Sequence, residues 1–316
     1  MVLQAESVSS ALIEAAARRI RPYILPTPLL PGDALGYEGL WLKAESLQRT
    51  GSFKVRGAFN ALIQLGPKER QRGVITLSAG NHGQALAYAA QRFGIPCVVV
   101  VREDATRSKL DAITGYGADL VLVPVVSWQQ RLEEEQLRRG SYLVHPFDDP
   151  AVINGQGTVG LEILAALPEV RTVVVPVGGG GLIAGVAAAI KSRRPQVRVI
   201  GIEPEGASVV SDSLAAGRPV PLERIETVAD GLAPPYTRPL NLALVKQYVD
   251  EVRSVSDTAI IDALRAIARR SKLLVEPAGA AAVAGLAGLD LEPPVVAILT
   301  GANVDQHQLG GWLTMP

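Results

Sequence analysis

Runs of valine, isoleucine and leucine without polar alternation recur along the chain. They predict strands at Leu40–Lys43, Val74–Leu77, Cys97–Val101, Leu120–Val123, Tyr142–Val144, Thr172–Val177, Val197–Ile202 and Val295–Thr300. An unbroken apolar run suits a strand covered on both faces, because neither face meets water. Between them, alanine- and leucine-rich stretches predict helices at Gln84–Phe93, Ser108–Tyr116, Trp128–Arg138, Thr158–Leu167 and Leu182–Ser192. Strand–helix alternation requires crossover connections, so the expected fold is α/β with mostly parallel sheets flanked by helices. Residues 68–146 hold a βαβα set of their own and are expected to form a small inserted domain. Residues 1–67 and 147–316 would then form the large one, with a cleft between the two suited to a small molecule. The Pro- and Gly-rich stretches Pro22 to Gly39 and Ala229 to Pro239 read as loops.

Composition narrows the function. The chain has 31 basic and 31 acidic residues and only 4% aromatics. That balance argues against nucleic acid or an anionic membrane as the partner. No apolar run approaches the length of a membrane span, and Met1 to Ser10 lacks the charged start and apolar core of a secretory signal. The expected setting is cytoplasmic. The one cysteine, Cys97, lies inside a predicted strand and reads as a packed, inert thiol. With three histidines, a dedicated zinc site is not expected.

Three local patterns carry chemistry. Ser52-Phe53-Lys54-Val55-Arg56-Gly57-Ala58 places a lysine in the first turn of a predicted, strongly apolar helix. Burial there lowers an amine's pKa toward the range where it attacks a carbonyl, although a lysine with its head in solvent fits the segment too. Ser78-Ala79-Gly80-Asn81-His82-Gly83 joins a strand to a helix, where free amides suit a carboxylate and Asn81 can donate to an oxygen. Ordinary capping is the plainer reading of Asn81, and a structural role the plainer one of His82. Gly178-Gly179-Gly180-Gly181 precedes a helix and suits a phosphate. The same segment matches a dinucleotide fingerprint, Gly179-x-Gly181-x-x-Ala184, with Glu203 placed to take a ribose. Two further loops join the candidates: Thr300-Gly301-Ala302-Asn303 at a strand end, and Glu276 before Pro277 at a helix start.

In register these motifs resemble the fold-type II pyridoxal-phosphate enzymes, whose two-lobed fold is like that of tryptophan synthase β. The nearest group is threonine/serine dehydratase and serine racemase. The resemblance also includes His145-Pro146-Phe147-Asp148-Asp149, Gly155-Gln156-Gly157-Thr158 and Gly201-Ile202-Glu203-Pro204. It implies that Lys54 holds pyridoxal phosphate as a Schiff base and that Gly178, Gly179, Gly180 and Gly181 bind its phosphate. Asn81 would meet the ring hydroxyl, Phe53 the ring face, Glu276 the ring edge and Thr300 the pyridine nitrogen. Ser78, Ala79, Gly80, Asn81 and His82 would take the substrate carboxylate. The implied activity is that of a lyase converting L-threonine to 2-oxobutanoate and ammonia, and L-serine to pyruvate. Serine racemase and 3-hydroxyaspartate dehydratase are alternatives on this scaffold. An NAD-dependent oxidoreductase and a noncatalytic phosphate-ligand-binding protein are alternatives of other classes.

Departures from the family pattern sharpen these expectations. Ala79 stands where racemases carry a serine, so weak or absent racemisation is expected. A cation site would use Glu203 and the Ala207 carbonyl, but Val209 replaces the family's aspartate, leaving at most a weak monovalent or divalent site. The chain ends at Pro316, soon after the last motif, so isoleucine feedback through an added domain is not expected. A homodimer or homotetramer is the family expectation.

Overall fold

Two sheets organise the molecule, a computed structural model that describes residues 7–124 and 127–314. Part of the N-terminal stretch read against a secretory signal, residues 1–6, lies outside the described residues, as does Pro316. The larger sheet has six strands in the order β1-β2-β10-β7-β8-β9. These are β1 (Leu29–Pro31), β2 (Leu40–Ala44), β7 (Thr172–Pro176), β8 (Arg198–Pro204), β9 (Glu251–Val255) and β10 (Val295–Leu299). Only β1 runs antiparallel, against β2; the remaining pairings are parallel. The smaller sheet is wholly parallel, in the order β5-β4-β3-β6. Its strands are β3 (Val74–Leu77), β4 (Cys97–Arg102), β5 (Asp119–Val123) and β6 (Tyr142–Leu143).

The inner strands follow the apolar pattern: every residue of β3, β7 and β10 is buried. The edges do not. β9 reads Glu-Val-Arg-Ser-Val and is nowhere fully buried, so no apolar run announces it. Charges on an edge strand keep its open side from pairing with another chain. β1 and the short 3-10 turn Asp33–Leu35 likewise occupy part of the stretch read as loop, because a three-residue strand ending in proline carries no pattern. Cys97 is buried on β4, and burial pushes its thiol up to about 12.

Helix starts differ from the sequence reading in an informative way. The helix expected at Thr158–Leu167 begins at Pro150 and runs to Ala166. Proline opens it, and the Asp149 carboxylate accepts from the Ala151 and Val152 amides at 2.7 and 3.4 Å. Its glycines cost helix propensity. They are there for contact: a Cβ on Gly155 would stand 2.7 Å from the Arg56 carbonyl oxygen, and one on Gly185 would stand 2.7 Å from the Gly157 nitrogen. The helices Lys54–Ile63, Pro150–Ala166 and Gly181–Lys191 therefore cross almost backbone to backbone. Loops at the carboxyl ends of β3, β6, β7 and β10 carry the sequence motifs, the edge where parallel sheets place ligands.

Candidate active site

Lys54 opens the Lys54–Ile63 helix, and its Nζ donates to the Pro146 carbonyl at 2.8 Å. The ammonium stands 5.3 Å from the centre of the Phe53 ring. Burial lowers the amine to about 8, with Glu276 pulling the other way. The segment before the lysine is tied to the end of β10: the Phe53 amide donates to the Thr300 carbonyl at 3.1 Å, and Ser52 bridges Gly301.

Asn81 and His82 lie in the first turn of a helix, Asn81–Phe93, three residues longer than the sequence pattern indicated. Asn81 does not cap it; Gly80 is the N-cap residue and no side-chain cap is made. Instead the Asn81 Nδ2 donates to Glu276 Oε1 at 2.5 Å. Ser78 Oγ accepts from the Gly80 amide at 3.2 Å. His82 Nε2 lies 3.0 Å from the Val144 carbonyl, which can only accept, so the hydrogen sits on Nε2. Burial, with Lys54 nearby, holds His82 down at about 3, so the ring is neutral. Its Nδ1 is buried and unpaired among the described residues.

Glu276 is buried at the start of the Pro277–Ala284 helix. Burial first, then the nearby Asp230, pushes its carboxyl up to about 8. Gly301 makes room for it: a Cβ there would lie 2.5 Å from Glu276 Oε1. The Thr300 hydroxyl donates to the Ala278 carbonyl at 3.2 Å.

The glycine run ends in the N-cap of the Gly181–Lys191 helix. Gly180 has φ +93°, a left-handed conformation that favours glycine, and no side chain caps the helix. The first-turn amides of a helix have no acceptor within it, so this end is open to an anion. Thr237 Oγ1 and Asn241 Nδ2 donate to the Gly179 carbonyl at 3.1 and 3.0 Å. In a trans peptide the N–H points opposite to its carbonyl, so these two side chains turn the Gly180 amide away from themselves. Phe147 lies over the run, and its Cβ would be 2.9 Å from a Cβ on Gly181. The segment His145 to Phe147 thus bridges the lysine and the glycines, through the Pro146 carbonyl on one side and the Phe147 ring on the other.

Glu203 stands apart from this group. Its Oε1 accepts from the Val210 amide at 2.8 Å, and its Oε2 from the Ser211 amide and hydroxyl at 2.9 and 2.6 Å. Both oxygens are spent on the start of the Val209–Ala216 helix, which removes the ribose contact that a dinucleotide reading requires. Burial pushes its carboxyl up to about 7. Ala207 is buried beside this helix. Among the described residues no cluster of three or more His, Cys, Asp or Glu side chains could hold a metal.

Sequence reasoning missed a buried charge cluster beneath the lysine. Arg56 has no exposed surface. Its Nε and Nη2 donate to the two Glu45 oxygens at 2.8 Å each, and its Nη1 and Nη2 to those of Glu162 at 2.7 and 2.8 Å. Lys43 Nζ completes the set, 2.6 Å from Glu162. Although burial opposes its charge, the two carboxylates hold the Arg56 guanidinium above its usual range. The partners lie on β2, the turn after it and the Pro150–Ala166 helix, so no local pattern announced the contact; Thr158 Oγ1 also lies 3.2 Å from Arg56 Nη1.

An amine near neutrality, an uncapped helix end behind glycines and an amide donor between them fit a flat, phosphate-bearing aldehyde. Fold and site together fit an α/β enzyme that uses such a cofactor. The family model for pyridoxal-phosphate dependent enzymes matches residues 20–301, and the chain belongs to that family, in the fold-type II group of threonine dehydratases and serine racemases. An L-threonine ammonia-lyase of Thermotoga maritima is 44% identical over 275 residues, covering 85% of this chain and 68% of that one. A solved T.th. threonine deaminase is 40% identical with a TM-score of 0.89, covering 94% of this chain and 99% of that one. Maize serine racemase is 36% identical with a TM-score of 0.91, covering 96% of each chain.

Proposed function

We propose that this chain is a pyridoxal-phosphate-dependent L-threonine ammonia-lyase that also accepts L-serine. The observation that carries this reading is the Lys54 amine, lowered to about 8 and held at the Pro146 carbonyl between the Asn81–Glu276 pair and the glycine turn. When bound, pyridoxal phosphate supplies the electron sink that acidifies the α-hydrogen and favours loss of the β-hydroxyl. Gly178 to Gly181 would hold its phosphate, Asn81 and Glu276 its ring edge, Phe53 its face and Thr300 its nitrogen. Ser78 to His82 would take the substrate carboxylate with amides at the helix start. Lys54 Nζ, with a free fraction at neutral pH, takes the α-proton. Loss of water and hydrolysis then yield 2-oxobutanoate and ammonia from threonine, or pyruvate and ammonia from serine.

Ala79 supports elimination over racemisation. Its methyl group cannot carry a proton to the opposite face, and the nearby His82 is neutral with its Nε2 hydrogen committed to a carbonyl. We also read the chain as two lobes, 1–67 with 147–316 and 68–146, in a cytoplasmic homodimer or homotetramer. Among the described residues no helix is long and apolar enough to cross a membrane. Light scattering on the purified protein measures the assembly.

The deciding experiment is an absorbance spectrum before and after L-threonine, with 2-oxo acid and ammonia assayed together. A visible band that shifts, with 2-oxobutanoate and ammonia in equal amounts, is the expected result. Full turnover by Lys54→Ala would overturn the assignment of the proton carrier.

A further inference from the structure

Asn303 lies two residues beyond Gly301 and has no part in the roles assigned above. Its Nδ2 donates to the Thr50 carbonyl and to Asn81 Oδ1, each at 2.7 Å. A backbone carbonyl only accepts, so the Asn303 amide has one permitted direction. Its NH2 group must face Thr50, and the Asn81 side chain must then answer it with oxygen. The Asn81 NH2 group is thereby turned the other way, toward Glu276 Oε1 at 2.5 Å.

The same side chain grips the turn ahead of the lysine. Thr50 has φ +60° and Gly51 φ +68°. The left-handed region is uncommon for a β-branched residue, so this turn needs outside support. Asn303 supplies it at the Thr50 carbonyl, and the Ala302 amide at the Gly51 carbonyl at 2.9 Å. The fit is close: a Cβ on Gly51 would lie 2.7 Å from Asn303 Oδ1.

We propose that Asn303 is a positioning residue for the reaction: it sets the direction of the Asn81 amide and fixes the turn that delivers Lys54. The proposal rests on the reading that Asn81 donates to the cofactor ring. Asn303→Asp keeps the size and removes the donor. The Asn81 amide then turns its nitrogen toward residue 303 and offers oxygen to the ring.

The test compares wild type, Asn81→Ala, Asn303→Asp and the double variant, each stripped of cofactor and titrated with pyridoxal phosphate. Affinity and the wavelength of the visible band are read, with far-ultraviolet circular dichroism of the stripped proteins. Each single variant is expected to bind at least tenfold more weakly and to shift the band. The double variant is expected to lose less than the product of the two single losses, because the part that Asn303 exerts through Asn81 is already gone in Asn81→Ala. Asn303→Ala is carried alongside and read the same way if the aspartate variant does not fold. A normal Asn303→Asp beside a weakened Asn81→Ala, or losses that multiply in the double variant, would overturn the proposal alone. An unchanged Asn81→Ala would overturn the ring placement and the proposal with it.

Discussion

Removing the Arg56 charge is the most demanding test of how the site is supported. Arg56, Lys43, Glu45 and Glu162 sum to zero charge, and Arg56 and Glu45 have no exposed side-chain surface. Arg56→Met leaves two carboxylates facing Lys43, which stands 3.9 Å from Glu45 and 2.6 Å from Glu162. At an effective dielectric near 20, each lost ion pair at about 4 Å is worth about 4 kcal/mol, offset by the arginine desolvation no longer incurred. Breaking a buried pair from one side costs about 3–5 kcal/mol, and that is the expected loss here. Glu162 is 27% exposed and can relax toward water; Glu45 cannot, so most of the loss falls on Glu45. Adding Glu45→Gln restores neutrality and keeps an acceptor for Thr27, which donates to Glu45 Oε1 at 2.5 Å. The double variant should recover at least ~2 kcal/mol of the loss, a coupling that urea midpoints at constant m reveal. An Arg56→Met cost below ~1 kcal/mol, or a double variant as unstable as the sum of the singles, would refute the reasoning.

Three further outcomes are expected. Glu276 keeps its proton up to about 8, whereas the unfolded chain loses it near 4.5, so this group's contribution to stability falls as pH rises between those values. Glu276→Gln removes that dependence: the stability of the cofactor-free variant relative to wild type should rise by a few kcal/mol from pH 5 to pH 8, about 1.4 kcal/mol per pKa unit, and a flat difference counts against the buried acid. Gly180→Ala forces an alanine to φ +93° and sets its Cβ 3.3 Å from that of Asn241, so about 1–2 kcal/mol of stability and much of the pyridoxal phosphate affinity should be lost in urea and titration measurements. Wild type should not convert L-serine to D-serine, while Ala79→Ser should gain some conversion on a chiral assay; efficient racemisation by wild type contradicts the role given to Ala79.

What the sequence made legible is what is local. Strands β4, β7 and β10 advertise themselves because both faces are covered; β9, charged and half exposed at an edge, has no such pattern. The Lys54 segment and the glycine run are readable because a backbone requirement, a helix start or a turn, is written into consecutive residues. Thr237 and Asn241 are not, since they act on Gly179 from about 60 positions away. The same holds for the Arg56 cluster, whose members are ordinary charges until folding removes water from them. Glu203 shows the opposite error: its place at the end of β8 invited a ligand, but a neighbouring helix start consumes both of its oxygens.

The near-touching helices at Gly155 and Gly185 bear on how this enzyme can be redesigned. A mutagenesis library spread evenly over the chain would spend its members badly. Any side chain at Gly155 meets the backbone of Arg56 and Gly57, and any at Gly185 meets that of Ile153 and Gly157, so those columns should come back empty. Gly80, in the candidate carboxylate loop, has no atom within 4 Å of where its Cβ would stand. Diversity aimed at a new substrate belongs on that loop, with the helix crossing beneath the lysine left untouched.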